Sequence, residues 1–73
     1  MYKVIAVYGQ PSGWAVHAPG YEWRHYSRRS SVREVDVDDV RRVAQKYARD
    51  IMGAQADVVE VFWMINRFIV LLR

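Results

Sequence analysis

The 73-residue chain contains no cysteine, so neither a disulfide framework nor a thiolate metal site can support its fold. One small hydrophobic core has to hold the chain together, and we expect a single domain over residues 1–73. A sequence without cysteine is typical of a reducing compartment. The first apolar run is too short, and too soon followed by Gln10, Pro11 and Ser12, to be a secretory signal. We therefore expect a cytosolic protein.

A long uninterrupted apolar run is missing as well. The apolar tail from Val58 to Leu72 contains Glu60, Asn66 and Arg67, and it is shorter than the ~20 residues that a membrane-spanning helix requires. The sequence therefore predicts no membrane partner.

Residues for catalysis are scarce. His17 and His25 are the only side chains that transfer protons near neutral pH, and neither stands in the spacing of a Ser-His-Asp or Cys-His site. Gly9 and Gly13 are not followed by the Lys-Ser or Lys-Thr pair of a phosphate-binding loop. We expect a protein that is not an enzyme, without catalytic residues and without a bound cofactor.

A metal site is not expected either. Asp36, Asp38 and Asp39 form an acidic cluster, but the further ligands, the glycine and the closing glutamate of a calcium loop do not follow. Capping of a helix explains these aspartates better than cation binding does.

The composition that remains is that of a folded domain. Hydrophobic residues make up 52% of the chain and aromatic residues 14%, far from the signature of disorder. The formal net charge of +3 is too small for a dedicated nucleic-acid binder.

Three strands are predicted in the first part of the chain. Tyr2 to Tyr8 is apolar in both alternating sets except at Lys3, which indicates a buried central strand. The turn formers of residues 9–13 predict a hairpin to a second strand, Trp14 to Ala18. A half-exposed third strand, Tyr21 to Ser27, follows the bend at Pro19-Gly20.

One amphipathic helix is predicted next. Apolar residues recur at three- and four-residue spacing along one face: Val40, Val43, Ala44, Tyr47, Ala48 and Ile51. The polar side carries Asp39, Arg42, Lys46, Arg49 and Asp50. Asp36 or Asp38 can cap the start, Gly53 can end the helix in a left-handed conformation, and Asp38 can pair with Arg42.

The chain closes with a fourth strand, because residues from Asp57 to Trp63 alternate between two faces. A right-handed crossover would place this strand beside the first and parallel to it. Met64 to Arg73 forms either a fifth strand, after a turn at Asn66-Arg67, or a short helix. The predicted fold class is α+β, in the order βββαβ, with one helix packed on a small, mostly antiparallel sheet and an additional C-terminal strand or short helix.

Three segments give the chain a resemblance to a known family: residues 13–19 of the second strand, residues 43–51 of the helix and residues 57–61 of the fourth strand. Together they resemble HicB-type antitoxins, in particular the short actinobacterial branch, over roughly residues 3–61. The resemblance implies a partial ribonuclease H-like fold without the acidic catalytic set. It also implies a partner, a small toxin ribonuclease of the double-stranded-RNA-binding type that the antitoxin binds and blocks.

The chain departs from that family in two respects. The usual Gly-Asp/Glu-Thr lead-in to the helix is missing, and so is a helix-turn-helix or ribbon-helix-helix segment for operator DNA. A phage protein that binds a host protein is therefore an alternative. Nine of the eleven Lys and Arg residues are arginine, a bias typical of high-GC coding sequences such as those of actinobacteria and their phages.

A nucleic-acid-binding module is the rival hypothesis. Cations alternate with aromatic residues in the third strand and the loop after it, as in proteins that stack bases and hold phosphates. The candidate binding residues, for nucleic acid or for a partner, are Trp23, Arg24, Tyr26, Arg28, Arg29 and Arg33.

Self-association is the last expectation. The apolar tail offers more hydrophobic surface than one helix and a thin sheet readily cover, which favours a homodimer. The candidate contact residues are Phe62, Phe68, Val70 and Leu72, or else the opposite face of the last strand.

Overall fold

A computed structural model describes residues 2–29 and 37–73 of the chain. Its elements are β1 Lys3–Gln10, β2 Gly13–His17, β3 Arg24–Tyr26, α1 Val37–Asp50, β4 Val58–Met64 and β5 Arg67–Leu72. All five strands form one sheet in the order β3-β2-β1-β5-β4, and every pair of neighbours is antiparallel. The predicted α+β class, one helix with an antiparallel sheet, is confirmed. The segment Met64 to Arg73 contains a fifth strand, one of the two alternatives that the sequence left open, so the element order is βββαββ.

The first hairpin forms as predicted, with a tighter turn. Gln10 pairs with Gly13, so only Pro11 and Ser12 connect the strands. A Cβ atom on Gly13 would lie 2.1 Å from the backbone oxygen of Tyr26. Glycine is therefore needed here because β2 and β3 approach closely at this point.

The crossover prediction is wrong. β5, not β4, lies beside β1, and it runs antiparallel, with Val70 opposite Ile5. β4 pairs only with β5 and forms the edge of the sheet. The reason is that β4 and β5 form a hairpin around Ile65 and Asn66, one residue earlier than predicted. β5 has a fully buried alternating set and β4 is mostly exposed, so the hairpin buries more apolar surface with β5 inside.

The helix covers one face of the sheet. Its apolar face is buried as predicted at Val40, Val43, Ala44, Tyr47 and Ala48, while Ile51 is partly buried at the rim. These residues pack on the inward-facing side chains of the strands: Ile5, Val7, Trp14, Val16, Tyr26, Phe68, Val70 and Leu72. Gly53 ends the helix with a φ of 64°. No helix of the described residues is long and apolar enough to cross a lipid bilayer.

Asp39 lies in the interior, not on the polar side of the helix. Its carboxylate accepts hydrogen bonds from the indole of Trp14 at 2.8 Å, from Nε of Arg42 at 2.6 Å and from the backbone amide of Arg29 at 3.1 Å. Arg42 thus pairs with Asp39, and Asp38 lies 3.8 Å from Arg41. The predicted pair of Asp38 with Arg42 is wrong because Trp14 and Arg29 draw Asp39 inward. The capping role predicted for Asp36 falls outside the described residues.

Hydrogen bonding controls the ionisation of this buried carboxyl. Burial alone would raise the pKa of Asp39, because a charge is costly away from water. The hydrogen bonds donated by Arg42, Trp14 and the Arg29 amide outweigh burial and hold the pKa below its usual value. Asp39 therefore stays charged at neutral pH and joins the start of α1 to β2.

Candidate functional site

The most distinctive surface is the face of the sheet opposite the helix. None of the elements in residues 2–29 and 37–73 packs across it. Alternation along the strands places one set of side chains there, which we call the open face: Tyr2, Val4, Ala6, Tyr8, Gln10, Ala15, His17, His25, Glu60, Phe62, Met64, Arg67, Ile69 and Leu71. Most of them are apolar or aromatic, and the polar members are Gln10, His17, His25, Glu60 and Arg67.

The open face runs across the sheet without a break. Val4 lies opposite Leu71, Ala6 opposite Ile69, and Ile69 in turn opposite Phe62. Phe62, on the edge strand β4, is 39% exposed. Monomeric proteins rarely leave so continuous an apolar surface in water.

Trp23 adds to the open face from the loop before β3. The loop is held by two backbone contacts: the amide of Tyr21 donates to the carbonyl of Ala18 at 3.0 Å, and the hydroxyl of Tyr47 donates to the carbonyl of Glu22. β3 is shorter than predicted, so Trp23 precedes it and does not take part in its pairing with β2. The indole is 57% exposed.

An aromatic cluster surrounds Trp23. The indole is stacked on the imidazole of His17 at 4.6 Å between ring centroids, and it lies 5.4 Å from the ring of Tyr8. The guanidinium of Arg67 lies 5.8 Å from the centroid of the same tyrosine. Aromatic contacts and cation–π contacts of this kind fix large side chains in one orientation. The open face therefore presents a preformed aromatic corner.

Few charges lie on the open face or at its border. Arg73 donates to the hydroxyl of Tyr2 at 3.3 Å and lies 5.6 Å above its ring. Glu60 lies opposite Leu71 on β4, and Arg67 lies opposite Met64. Two arginines and one glutamate leave this surface with little net charge.

The two histidines make separate contacts and do not lie against each other. His17 is covered by Trp23, and Nε2 of His25 lies 2.5 Å from the side-chain oxygen of Gln10. Neither forms an ion pair with an acid within the described residues. Across the same residues, no three His, Cys, Asp or Glu side chains are grouped as metal ligands.

The predicted basic and aromatic residues are not brought together on one surface. Trp23 belongs to the open face, whereas Arg24 lies opposite Val16 on the helix side and is exposed. Tyr26 is buried beneath the helix, and its hydroxyl lies 3.4 Å from the carboxylate of Asp50. Burial, and then the charge of Asp50, raise the pKa of Tyr26 to about 12. Tyr26 is therefore a residue of the hydrophobic core.

The arginines of the same set are also separated from Trp23. Arg28 lies 3.9 Å above the ring of Trp14 and donates to the carbonyls of Gln10 and Gly13, so it fastens the first hairpin. The backbone amide of Arg29 donates to the carboxylate of Asp39 at 3.1 Å, and its side chain lies beside the outer surface of the helix. Arg33 falls outside the described residues.

The candidate self-association residues lie on both faces of the sheet. Phe68, Val70 and Leu72 are buried in the core beneath the helix, so they are not available to a second chain. Phe62 is on the open face. The sequence offered two faces of the last strand for self-association. Only the face with Ile69 and Leu71 is accessible to a second chain.

Comparison with protein-family models, with curated proteins and with solved structures gives no match. Several residues of the open face were not singled out by sequence reasoning, among them Tyr8, Met64 and Ile69. A signal existed: β1 and β5 are apolar in both alternating sets, although only one set contacts the helix.

Proposed function

We propose that this chain is a non-catalytic protein-binding module that uses the open face of its sheet as the binding surface. One observation carries the proposal: most side chains on one face of a five-stranded sheet are apolar or aromatic, and no described helix or strand packs across that face. Exposed apolar surface of this extent is characteristic of interaction sites, because its burial against a partner is favourable by roughly 25 cal/mol per Å².

The chemistry of the open face favours a protein over a nucleic acid. Interfaces between proteins are enriched in Tyr, Trp, Phe, Met and Arg and depleted of other charged residues. Tyr8, Trp23, Phe62, Met64 and Arg67 fit that composition. Single-stranded nucleic acid requires a positively charged track beside its stacking residues, and the cations of this face are balanced in part by Glu60.

A second copy of this chain is the occupant that we propose. Five strands spaced about 4.8 Å apart give a face of roughly 20 by 20 Å, whose corrugated area reaches roughly 500 Å² per partner, the lower limit for a specific interface. Two such faces carry little net charge and do not repel each other. Packing about a twofold axis buries the same patch on both chains. The two helices then lie on the outside of the dimer.

Sedimentation velocity at micromolar concentration tests this proposal with two single variants. Phe62→Glu places a charge in the open face, and Val37→Glu places the same charge on an exposed apolar residue of the helix side. We expect a dimer, twice the chain mass of 8.6 kDa, for the natural sequence and for Val37→Glu, and a folded monomer for Phe62→Glu. A monomeric natural protein would refute the second-copy proposal, and a dimeric Phe62→Glu would place the interface elsewhere.

The alternative occupant of the open face is a partner protein, as expected for an antitoxin of the HicB type or for a phage protein that binds a host protein. Its support is the similarity of β2, the helix and β4 to that family, and composition is the support for a cytosolic, actinobacterial or phage setting. The predicted strand order is not part of that support, because the antiparallel strand β5 lies beside β1, where we expected β4 to run parallel. Copurification with the product of the adjacent gene tests this alternative: a small basic ribonuclease retained by the natural chain and lost in Phe62→Glu is expected for an antitoxin.

A further inference from the structure

Charge is distributed unevenly over the described part of the chain. An open groove of about 450 Å³ runs along the outer side of the helix, and its lining includes five cations and one carboxylate: Arg29, Arg41, Arg42, Lys46, Arg49 and Asp38. The other ionic side chains of residues 2–29 and 37–73 are five cations and five carboxylates. Two of these carboxylates, Asp39 and Asp50, contact cations of the groove and lower its local charge. The lining itself still carries a clear excess of cations.

The groove is formed by a single helix face and a neighbouring loop. Arg42, Lys46 and Arg49 follow one another at four- and three-residue steps, so they lie along the same side of α1. Arg42 is fixed by Asp39 at 2.6 Å and by the carbonyl of Ser27 at 2.9 Å. The backbone amide of Arg29 is bonded to the same aspartate at 3.1 Å. The floor of the groove is thus anchored to a buried carboxylate.

The cations at the rim remain available to a ligand. Arg41 and Arg49 lie 3.8 and 3.9 Å from Asp38 and Asp50, and their side chains are 53% and 67% exposed. Long, exposed pairs of this kind contribute little stability and leave most guanidinium donors in solvent. Lys46 contacts the ring of Tyr26 at 5.7 Å and forms no salt bridge within the described residues.

We infer that this groove binds the phosphodiester backbone of a nucleic acid. Arg41 to Arg49 spans about 12 Å of helix, at 1.5 Å per residue. One strand of a duplex carries a phosphate about every 3.4 Å of axis, so the helix can face three or four consecutive phosphates. Arginine suits that task because its planar group donates two parallel hydrogen bonds to phosphate oxygens.

A lipid surface fits the groove less well than a nucleic acid does. Peripheral membrane binding combines cations with apolar side chains that enter the acyl boundary. The lining of this groove, as far as the structure describes it, is entirely charged or polar. The groove also lies on the other side of the sheet from the open face, so it stays accessible in the proposed dimer.

Salt dependence of binding to a short fluorescein-labelled DNA duplex, followed by fluorescence anisotropy, tests the inference. About four phosphate contacts predict that log K falls with log salt with a slope of about −3.6, which is about a hundredfold loss of affinity between about 50 and 200 mM salt. The double variant Lys46→Gln/Arg49→Gln removes two contacts. We expect it to halve the slope, so that the same change of salt costs about tenfold.

The matched control is Lys3→Gln/Arg24→Gln, which also removes one lysine and one arginine but leaves the groove intact; it should keep the full slope. Arg41→Gln alone should lower the slope by about 0.9, which gives a second measurement if the double variant is poorly folded. Equal losses in both double variants, no binding at about 50 mM salt, or tighter binding to phosphatidylserine vesicles than to the duplex would overturn the inference. Phe62→Glu should leave the slope unchanged, which separates this test from that of the protein-binding face.

Discussion

At the scale of single residues, Asp39 decides how the helix meets the sheet. It is 2% exposed and charged, and it joins the side chain of Trp14, the backbone of Arg29 and the guanidinium of Arg42. Helical periodicity alone assigns this position to the polar side. The periodicity carries no information on Trp14, 25 residues away, so the sequence could not reveal the buried network.

Replacing this carboxylate tests its role. Asp39→Asn keeps the shape but loses the charge, so we expect the free energy of unfolding at pH 7 to fall by about 1–3 kcal/mol, since buried donors lose a charged acceptor. The pKa of Asp39 is lower in the folded chain than in the unfolded chain. Its carboxylate therefore stabilises the folded state at pH values above the unfolded pKa of about 3.9, and this stabilisation is lost as the pH falls through the folded pKa.

Urea denaturation between neutral pH and about pH 3 measures the free energy of unfolding of the natural chain and of Asp39→Asn. The gap between the natural chain and Asp39→Asn should be constant above about pH 5 and should narrow below about pH 4. Asp57→Asn, which removes an exposed carboxylate, is the control. A gap that does not depend on pH would contradict the account.

At the scale of elements, the β4–β5 hairpin is where sequence reasoning and structure differ most. The helix was predictable because its 3.6-residue period is a local signal, and five of the six predicted apolar residues are fully buried. The place of β5 beside β1 depends on pairing between residues more than sixty positions apart, for which local alternation gives no register. The sequence identifies both strands as candidates, but it does not predict their order in the sheet.

The turn of this hairpin contains local strain. Ile65 is 88% exposed and has a φ of 55°, a conformation that costs a β-branched residue about 1–2 kcal/mol. Asparagine tolerates the left-handed region. We expect Ile65→Asn to raise the free energy of unfolding by about 1 kcal/mol, measured by urea denaturation at a fixed protein concentration. Ile65→Val keeps the branched side chain and should change nothing; an asparagine variant no more stable than the valine variant would argue against strain.

At the scale of the whole molecule, the two sides of the sheet have different roles. The side with the helix carries the core and, on its outer surface, the basic groove. The open face carries apolar and aromatic residues that the fold of one chain does not use. Composition indicated this surplus of apolar residues, and the self-association expected from it was assigned first to Phe68, Val70 and Leu72, which the helix covers. Which face is covered depends on how the helix and β5 are arranged in space, and short apolar runs do not specify that.

The dependence of the melting temperature on protein concentration tests the use of the open face most directly. If two chains pack through this face, unfolding separates them, and about a hundredfold increase in concentration stabilises the dimer by about 2.7 kcal/mol. The melting temperature of the natural chain should then rise by roughly 5–10 °C, while that of Phe62→Glu should stay constant. A natural chain whose melting temperature does not change over that range would contradict the account.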